Sequence, residues 1–214
     1  MITKSIKQRI KDFFFQFPTK KIRVRQLSRE LGVPLPSVIR YLHELGDEEM
    51  VKLTTLAEVK LYSANRASSK FRLEKMLFNI KRLYDSGLID YLTTHCHFPV
   101  IVVFGSFRRG EDVEDSDIDI YIETQVEVGG LRTFEDKLHR ELQIFRYSSL
   151  KDVKNKELAN NILNGITLEG YIEVFKCKIP AGRVALKTVR PKREDSTNSR
   201  QFPLSKQQGT DSNI

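Results

Sequence analysis

Within the stretch GSFRRGEDVEDSDIDIYIE, residues 105–123, two aspartates alternate with isoleucines. Ile118, Ile120 and Ile122 repeat with period two, as in a strand that buries one face. Asp117, Asp119 and Tyr121 then share the other face. Carboxylates two apart on a strand have α-carbons about 6.5–7 Å apart, close enough for their side chains to converge on shared cations. No basic residue on that strand neutralises them. Oxygen ligands on a rigid element suit Mg²⁺, which keeps waters and takes phosphate oxygens from its substrate. Upstream, Val100 to Phe104 is a continuous apolar run ending at Gly105-Ser106, which reads as a buried central strand and a tight turn. Gly105 lets a phosphate approach the backbone, Ser106 offers a hydroxyl, and a helix starting there adds free N–H groups. Arg108 and Arg109 are candidates for further phosphate contacts. They suit equally a solvated loop in which they pair with Glu111, Asp112, Glu114 or Asp115.

Gly105-Ser106, ten residues, then Asp117-Ile118-Asp119 resembles the signature of the polymerase-β-like nucleotidyltransferase superfamily. The resemblance covers about residues 95–180, and the short length points to the minimal members. It implies transfer of a nucleoside monophosphate from an NTP, ATP foremost, to an acceptor hydroxyl. Asp117 and Asp119 would hold two Mg²⁺ ions, and Gly105 and Ser106, with Arg108 and Arg109, the β/γ-phosphates. The family's third carboxylate belongs on a later strand, here ELQIFRYS, where alignment puts Gln143. An amide oxygen can ligate a metal but cannot accept a proton. Glu141, one pleat away on the same strand face, is the candidate substitute.

The elements that position this site begin with a different unit. Residues 1–66 carry 13 lysines and arginines against 7 acids, and residues 95–180 carry 11 against 15. A basic unit followed by an acidic one is expected if the first meets a polyanion and the second gathers cations. Helical spacing of Ile2, Ile6, Ile10, Phe13 and Phe14 predicts a helix over 2–16, ended by Pro18. A short helix over 24–31 should stop at Gly32, and a second, over 36–45, should bury Val38, Ile39, Leu42 and Leu45. Val51–Thr54 and Val59–Tyr62 read as a hairpin. This order resembles the winged helix-turn-helix family of transcription regulators. The resemblance implies that Ser37, Arg40, Tyr41 and His43 face the DNA major groove, while Arg23, Arg25, Lys52 and Lys60 neutralise phosphates. The same elements also serve as protein–protein modules, and Asp47, Glu48 and Glu49 follow directly.

The expected architecture is α+β: a winged helix-turn-helix at 1–66, a connecting helix within 67–94, a small mixed-sheet nucleotidyltransferase domain at 95–186 and a disordered basic tail at 187–214. The connecting helix, about 68–92, should bury a stripe of Leu73, Met76, Leu77, Ile80 and Leu83. His95 and His97 point the same way if that segment is extended, but two ligands make no structural zinc site. Lys187, Arg190, Lys192 and Arg193 of the tail could supplement nucleic-acid contacts or be merely solvated. Cys96 and Cys177 form no framework, no apolar run approaches a membrane span, and no export signal opens the chain, so a cytoplasmic location is expected. Two functions stand beside each other: a DNA-targeted transferase, whose acceptor could be a protein, a nucleic acid or a small molecule, and a DNA-binding regulator whose degenerate catalytic domain only binds nucleotide. A homodimer would suit either, since winged helices often pair on two half-sites. An interaction protein without catalysis is the third alternative.

Overall fold

The structure, a computed structural model, describes residues 4–174. Ile2 and the tail basic residues Lys187, Arg190, Lys192 and Arg193 lie outside them. Helix α1 (Ile6–Gln16) starts where the Ser5 hydroxyl accepts the Gln8 N–H. Helix α2 (Val24–Leu31) ends at Gly32, whose φ of 59° supplies the left-handed cap expected of that residue. Helix α3 (Leu35–Asp47) follows, then an antiparallel hairpin of β1 (Val51–Leu56) and β2 (Val59–Ala64). Ile10, Phe14, Leu27, Val38, Leu42 and Leu45 form the core of this unit. Two α3 positions exchange their expected roles. Ile39 is 52% exposed, whereas Tyr41 turns inward to pack on the core.

The single connecting helix expected over 68–92 is instead two. Helix α4 (Ser69–Asp85) and helix α5 (Leu88–His95) are separated at Ser86-Gly87. Gly87 takes a φ of 82°, and the Ser86 hydroxyl donates to the Leu83 carbonyl and accepts the Leu88 N–H. The break redirects the chain so that Leu88, Ile89 and Leu92 enter the core beneath the second sheet. The α4 stripe is also not the expected one. The buried residues are Phe71, Lys75, Asn79 and Leu83, while Leu73 and Leu77 face outward. Phe71 belongs to the first core and Leu83 to the second, so α4 is common to both.

The second sheet has the order β5-β4-β3-β6, from β3 (Val100–Val103), β4 (Ile118–Glu123), β5 (Leu142–Tyr147) and β6 (Ile166–Glu169). Strand β3 is antiparallel to both neighbours, and β5 runs parallel to β4. Ile118, Ile120 and Ile122 are fully buried, as the alternation requires. Between β3 and β4 lies a one-turn helix, α6 (Gly105–Arg109); α7 (Arg132–Leu138) precedes β5, and a 3₁₀ turn and α8 (Lys156–Leu163) precede β6. Gly165 follows the end of α8, with its N–H on the Ile162 carbonyl.

The loop after α6, expected to be solvated, hides a charge. Asp112 and Lys75 are each 1% exposed, with Lys75 Nζ 2.6 Å from Asp112 Oδ2. Asn79 Nδ2 donates to Asp112 Oδ1 at 2.8 Å and to the Phe107 carbonyl at 2.9 Å. Burial holds the Lys75 pKa below that of an ordinary lysine despite Asp112. Removing one member leaves the other uncompensated. Asp112→Ala should therefore cost about 3–5 kcal/mol in chemical denaturation, and Asp112→Leu combined with Lys75→Met should recover most of it. A single variant as stable as the parent would contradict this.

Candidate functional site

Strand β3 delivers the chain to Phe104, whose N–H donates to the Asp119 carbonyl at 3.0 Å. Gly105 follows with a φ of 72°, in the region an L side chain rarely adopts. A β-carbon at Gly105 would collide with Asp119 Oδ2, so this glycine exists to admit that carboxylate. The turn and the acidic strand meet at this point. Ser106 lies in the first turn of α6 beside it, partly exposed.

Asp119 opens one face of β4, and two residues on, the same face is closed. Tyr121 is fully buried and packs with Leu150, Val153 and Phe145. On this face the strand is accessible at its start and again at Glu123, on either side of the buried Tyr121. At the start Asp117, just before β4, is exposed and Asp119 partly so. Burial raises the Asp119 pKa, Asp117 raises it further, and Arg109 opposes them. The opposition from Arg109 does not cancel the effect of burial and of the second carboxylate.

The parallel β4–β5 register sets Gln143 directly across from Asp119. Gln143 is thus on the same face as the aspartate, exposed, as the alternation of ELQIFRYS implies. Glu141 precedes β5; its carbonyl accepts the Ile118 N–H at 2.9 Å. Its side chain lines an open cleft of about 770 Å³ together with Asp117, Glu114, Glu135, Arg132 and Arg140. Asp117 and Glu141 are brought to one cleft, while Gly105 and Asp119 meet behind it. Among the described residues, no three His, Cys, Asp or Glu side chains are grouped closely enough to hold a metal by themselves.

The two arginines separate. Arg109 is exposed and its Nε lies 2.6 Å from Glu111 Oε2, so the loop pairing is realised there. Arg108 is half-buried, with an Nε that meets no hydrogen-bond partner among the described residues. Glu114, also expected to be solvated, accepts the Thr19 N–H at 3.0 Å and the Thr19 hydroxyl at 2.8 Å. Although burial opposes it, these hydrogen bonds and one from its own backbone N–H hold the Glu114 pKa below the ordinary value. Thr19, Lys75, Asn79, Asp112 and Glu114 were not legible as site supports, because partners so far apart in sequence leave no local pattern.

Of the expected nucleic-acid contacts, Arg23, Arg25, Lys52 and Lys60 are exposed, and Ser37 is partly so. Arg40 lies 3.6 Å from Glu44 and stacks over Tyr41, and His43 lies 3.1 Å from Asp47. Acids on the same helix therefore answer two of the groove candidates. Tyr41, packed inward, is the one that the structure removes from an outward face. His95 and His97 do not form an extended pair: His95 ends α5 and its Nε2 lies 2.9 Å from the Glu127 carbonyl, while His97 has a φ of 58°.

The raised Asp119 pKa means that the folded state holds this proton more tightly than the unfolded chain. Ionisation thus costs stability, increasingly as pH rises from the ordinary carboxylate value to the raised one, and fully above it. Asp119→Asn should raise the melting temperature at pH 7 and change it little below the ordinary carboxylate range. A lower melting temperature at pH 7 would contradict that sign.

Residues 87–170 match the family model described as Polymerase beta, Nucleotidyltransferase, a stretch that starts just before α5 and ends just after β6. No curated protein and no solved structure matches the chain. Over that stretch, the chain is similar to the polymerase-β type of nucleotidyltransferase.

Proposed function

We propose that this protein is a Mg²⁺-dependent nucleotidyltransferase that moves a nucleoside monophosphate from an NTP, ATP foremost, to an acceptor hydroxyl, and that its N-terminal winged helix binds DNA. The observation that carries the proposal is the contact between Gly105 and Asp119. The glycine makes the tight turn between β3 and α6 and, having no β-carbon, brings the start of that helix directly against the acidic strand. The family match over the same residues supports it.

The donor set fits Mg²⁺. Two adjacent carboxylates with one raised pKa repel each other, and Mg²⁺ is commonly held by one or two carboxylates with substrate phosphates completing its shell. Asp117 and Asp119 would hold the metal, which lowers the pKa of the attacking hydroxyl and neutralises charge on the triphosphate. Gly105 and Ser106 would receive the β- and γ-phosphates through backbone N–H and hydroxyl. Arg108, with its unpartnered Nε, is the better of the two arginines for a further phosphate contact. Glu141, in the cleft beside Asp117, would orient the acceptor hydroxyl and take its proton. The acceptor is to be sought among proteins, nucleic acids and small molecules.

The second reading is a DNA-binding regulator whose catalytic domain only binds nucleotide. It is favoured by Gln143, which stands opposite Asp119 where the chemistry prefers a carboxylate. The N-terminal order of helices and hairpin, with exposed Arg23, Arg25, Lys52 and Lys60, supports DNA binding in both. The pairing of Arg40 and His43 with acids reduces their contribution.

With Mg²⁺ and labelled ATP, the wild-type chain should release pyrophosphate and label an acceptor. Asp117→Asn/Asp119→Asn should lower that rate by at least about a hundredfold. Nucleotide binding without pyrophosphate release, over a panel of NTPs and acceptor classes, would select the regulator. For the DNA half, Lys52→Ala should weaken duplex binding uniformly across sequences and reduce its salt slope by about one. Duplex binding indifferent to salt would exclude it.

A further inference from the structure

Helix α4 buries Phe71 and Leu83 but leaves other large apolar side chains uncovered. It turns Lys75 and Asn79 into the interior and presents Leu73, Leu77 and Tyr84 to the outside, 54%, 57% and 44% exposed. With Ile80, which is half-buried against the second core, and with Tyr84, whose hydroxyl donates to the Leu168 carbonyl at 3.0 Å, these four residues follow one another at spacings of four, three and four. That is the seam of a heptad-type helix pair. At Leu73 and Leu77 it faces away from the buried Phe71 and Lys75, because residues two apart on a helix lie about 200° apart, and it approaches the buried stripe only at Ile80.

The charges along one flank of the seam specify what covers it. Glu74 and Lys81 follow Leu73 and Ile80 directly, so both occupy the same flanking position, one heptad apart. In an antiparallel pair of identical helices, Leu73 meets Tyr84 of the second copy and Leu77 meets Ile80. The same register sets Glu74 opposite Lys81 twice, once on each side of the two-fold axis. Within one chain, Glu74 contacts Lys11 and Lys81 lies 2.6 Å from Asp85 Oδ1. Lys81 nevertheless remains largely exposed and free to turn towards a second helix. A polyanion or a uniformly charged partner would gain from one of the two flanking charges and lose from the other. A second copy gains from both.

We propose that the outward face of α4 is the self-association surface of this protein, pairing antiparallel with α4 of a second copy through Leu73, Leu77, Ile80 and Tyr84. The pairing is independent of the catalytic reading. In sedimentation equilibrium over the micromolar range, the full chain should run at twice its 24.9 kDa mass. Leu73→Glu/Leu77→Glu should run as a monomer with an unchanged circular-dichroism melt. Lys81→Glu, at an exposed position where folding is not at stake, should weaken association by about threefold to tenfold through its two like-charge contacts with Glu74. A monomeric wild type, a dimer that survives both leucine substitutions, or an association constant unmoved by Lys81→Glu would each overturn the proposal. A monomeric full chain that dimerises only when residues 175–214 are removed would assign the face to that segment instead, and would also overturn it.

Discussion

The buried pair of Lys75 and Asp112 is the interaction on which the rest of this structure depends. It joins the helix shared by both cores to the loop that separates the two halves of the acidic motif. A buried ion pair is weak evidence for stability, since an apolar pair of similar volume often serves as well. Its consequence here is placement. Asn79 fixes Asp112 and the end of α6 together, and Gly110 comes so close to the Arg72 carbonyl that a β-carbon would collide with it. Thr19 holds Glu114 from the N-terminal side. The ten residues between Ser106 and Asp117 are therefore anchored at several points to the N-terminal half of the chain, while the Phe104 N–H on the Asp119 carbonyl holds the Gly105 turn to the acidic strand.

That anchoring explains how an unfavourable arrangement persists. Asp117 and Asp119 repel each other, and Asp119 is partly desolvated. The isoleucines of β4 fix the strand from one side and Tyr121 from the other, so the backbone keeps Asp119 in place while the exposed Asp117 remains beside it. Stability is sacrificed locally at a place where a cation would restore it, as is common at functional sites.

Much of this was legible in the residues. The period-two isoleucines located β4, the continuous apolar run located β3, and the glycine at 32 marked a helix end, because each signal is local and its physical cause lies within a few residues. Alternation put Gln143 on the polar face of its strand, but the parallel register that sets it against Asp119 is a pairing between strands that no local pattern reveals. The failures share another cause. The apolar residues of α4 suggested an inward stripe, but a charge pair formed with Asp112 took the inward face, and no pattern within the helix reveals a partner 37 residues away. Asp112 and Glu114 looked like solvated acids for the same reason. The break at Ser86-Gly87 was hidden by apolar periodicity that continues across it, since α5 buries its own leucines in the second core.

The chemistry finally depends on whether the acidic face of β4 receives a metal-bound triphosphate. Calorimetric titration of a non-hydrolysable ATP analogue, with and without Mg²⁺, measures this without requiring an acceptor. Binding should depend on Mg²⁺ and should be lost when Asp117 and Asp119 are both replaced by asparagine. Binding that is equally tight without Mg²⁺, or that survives the double replacement, would contradict a nucleotide site at Gly105 and Asp119.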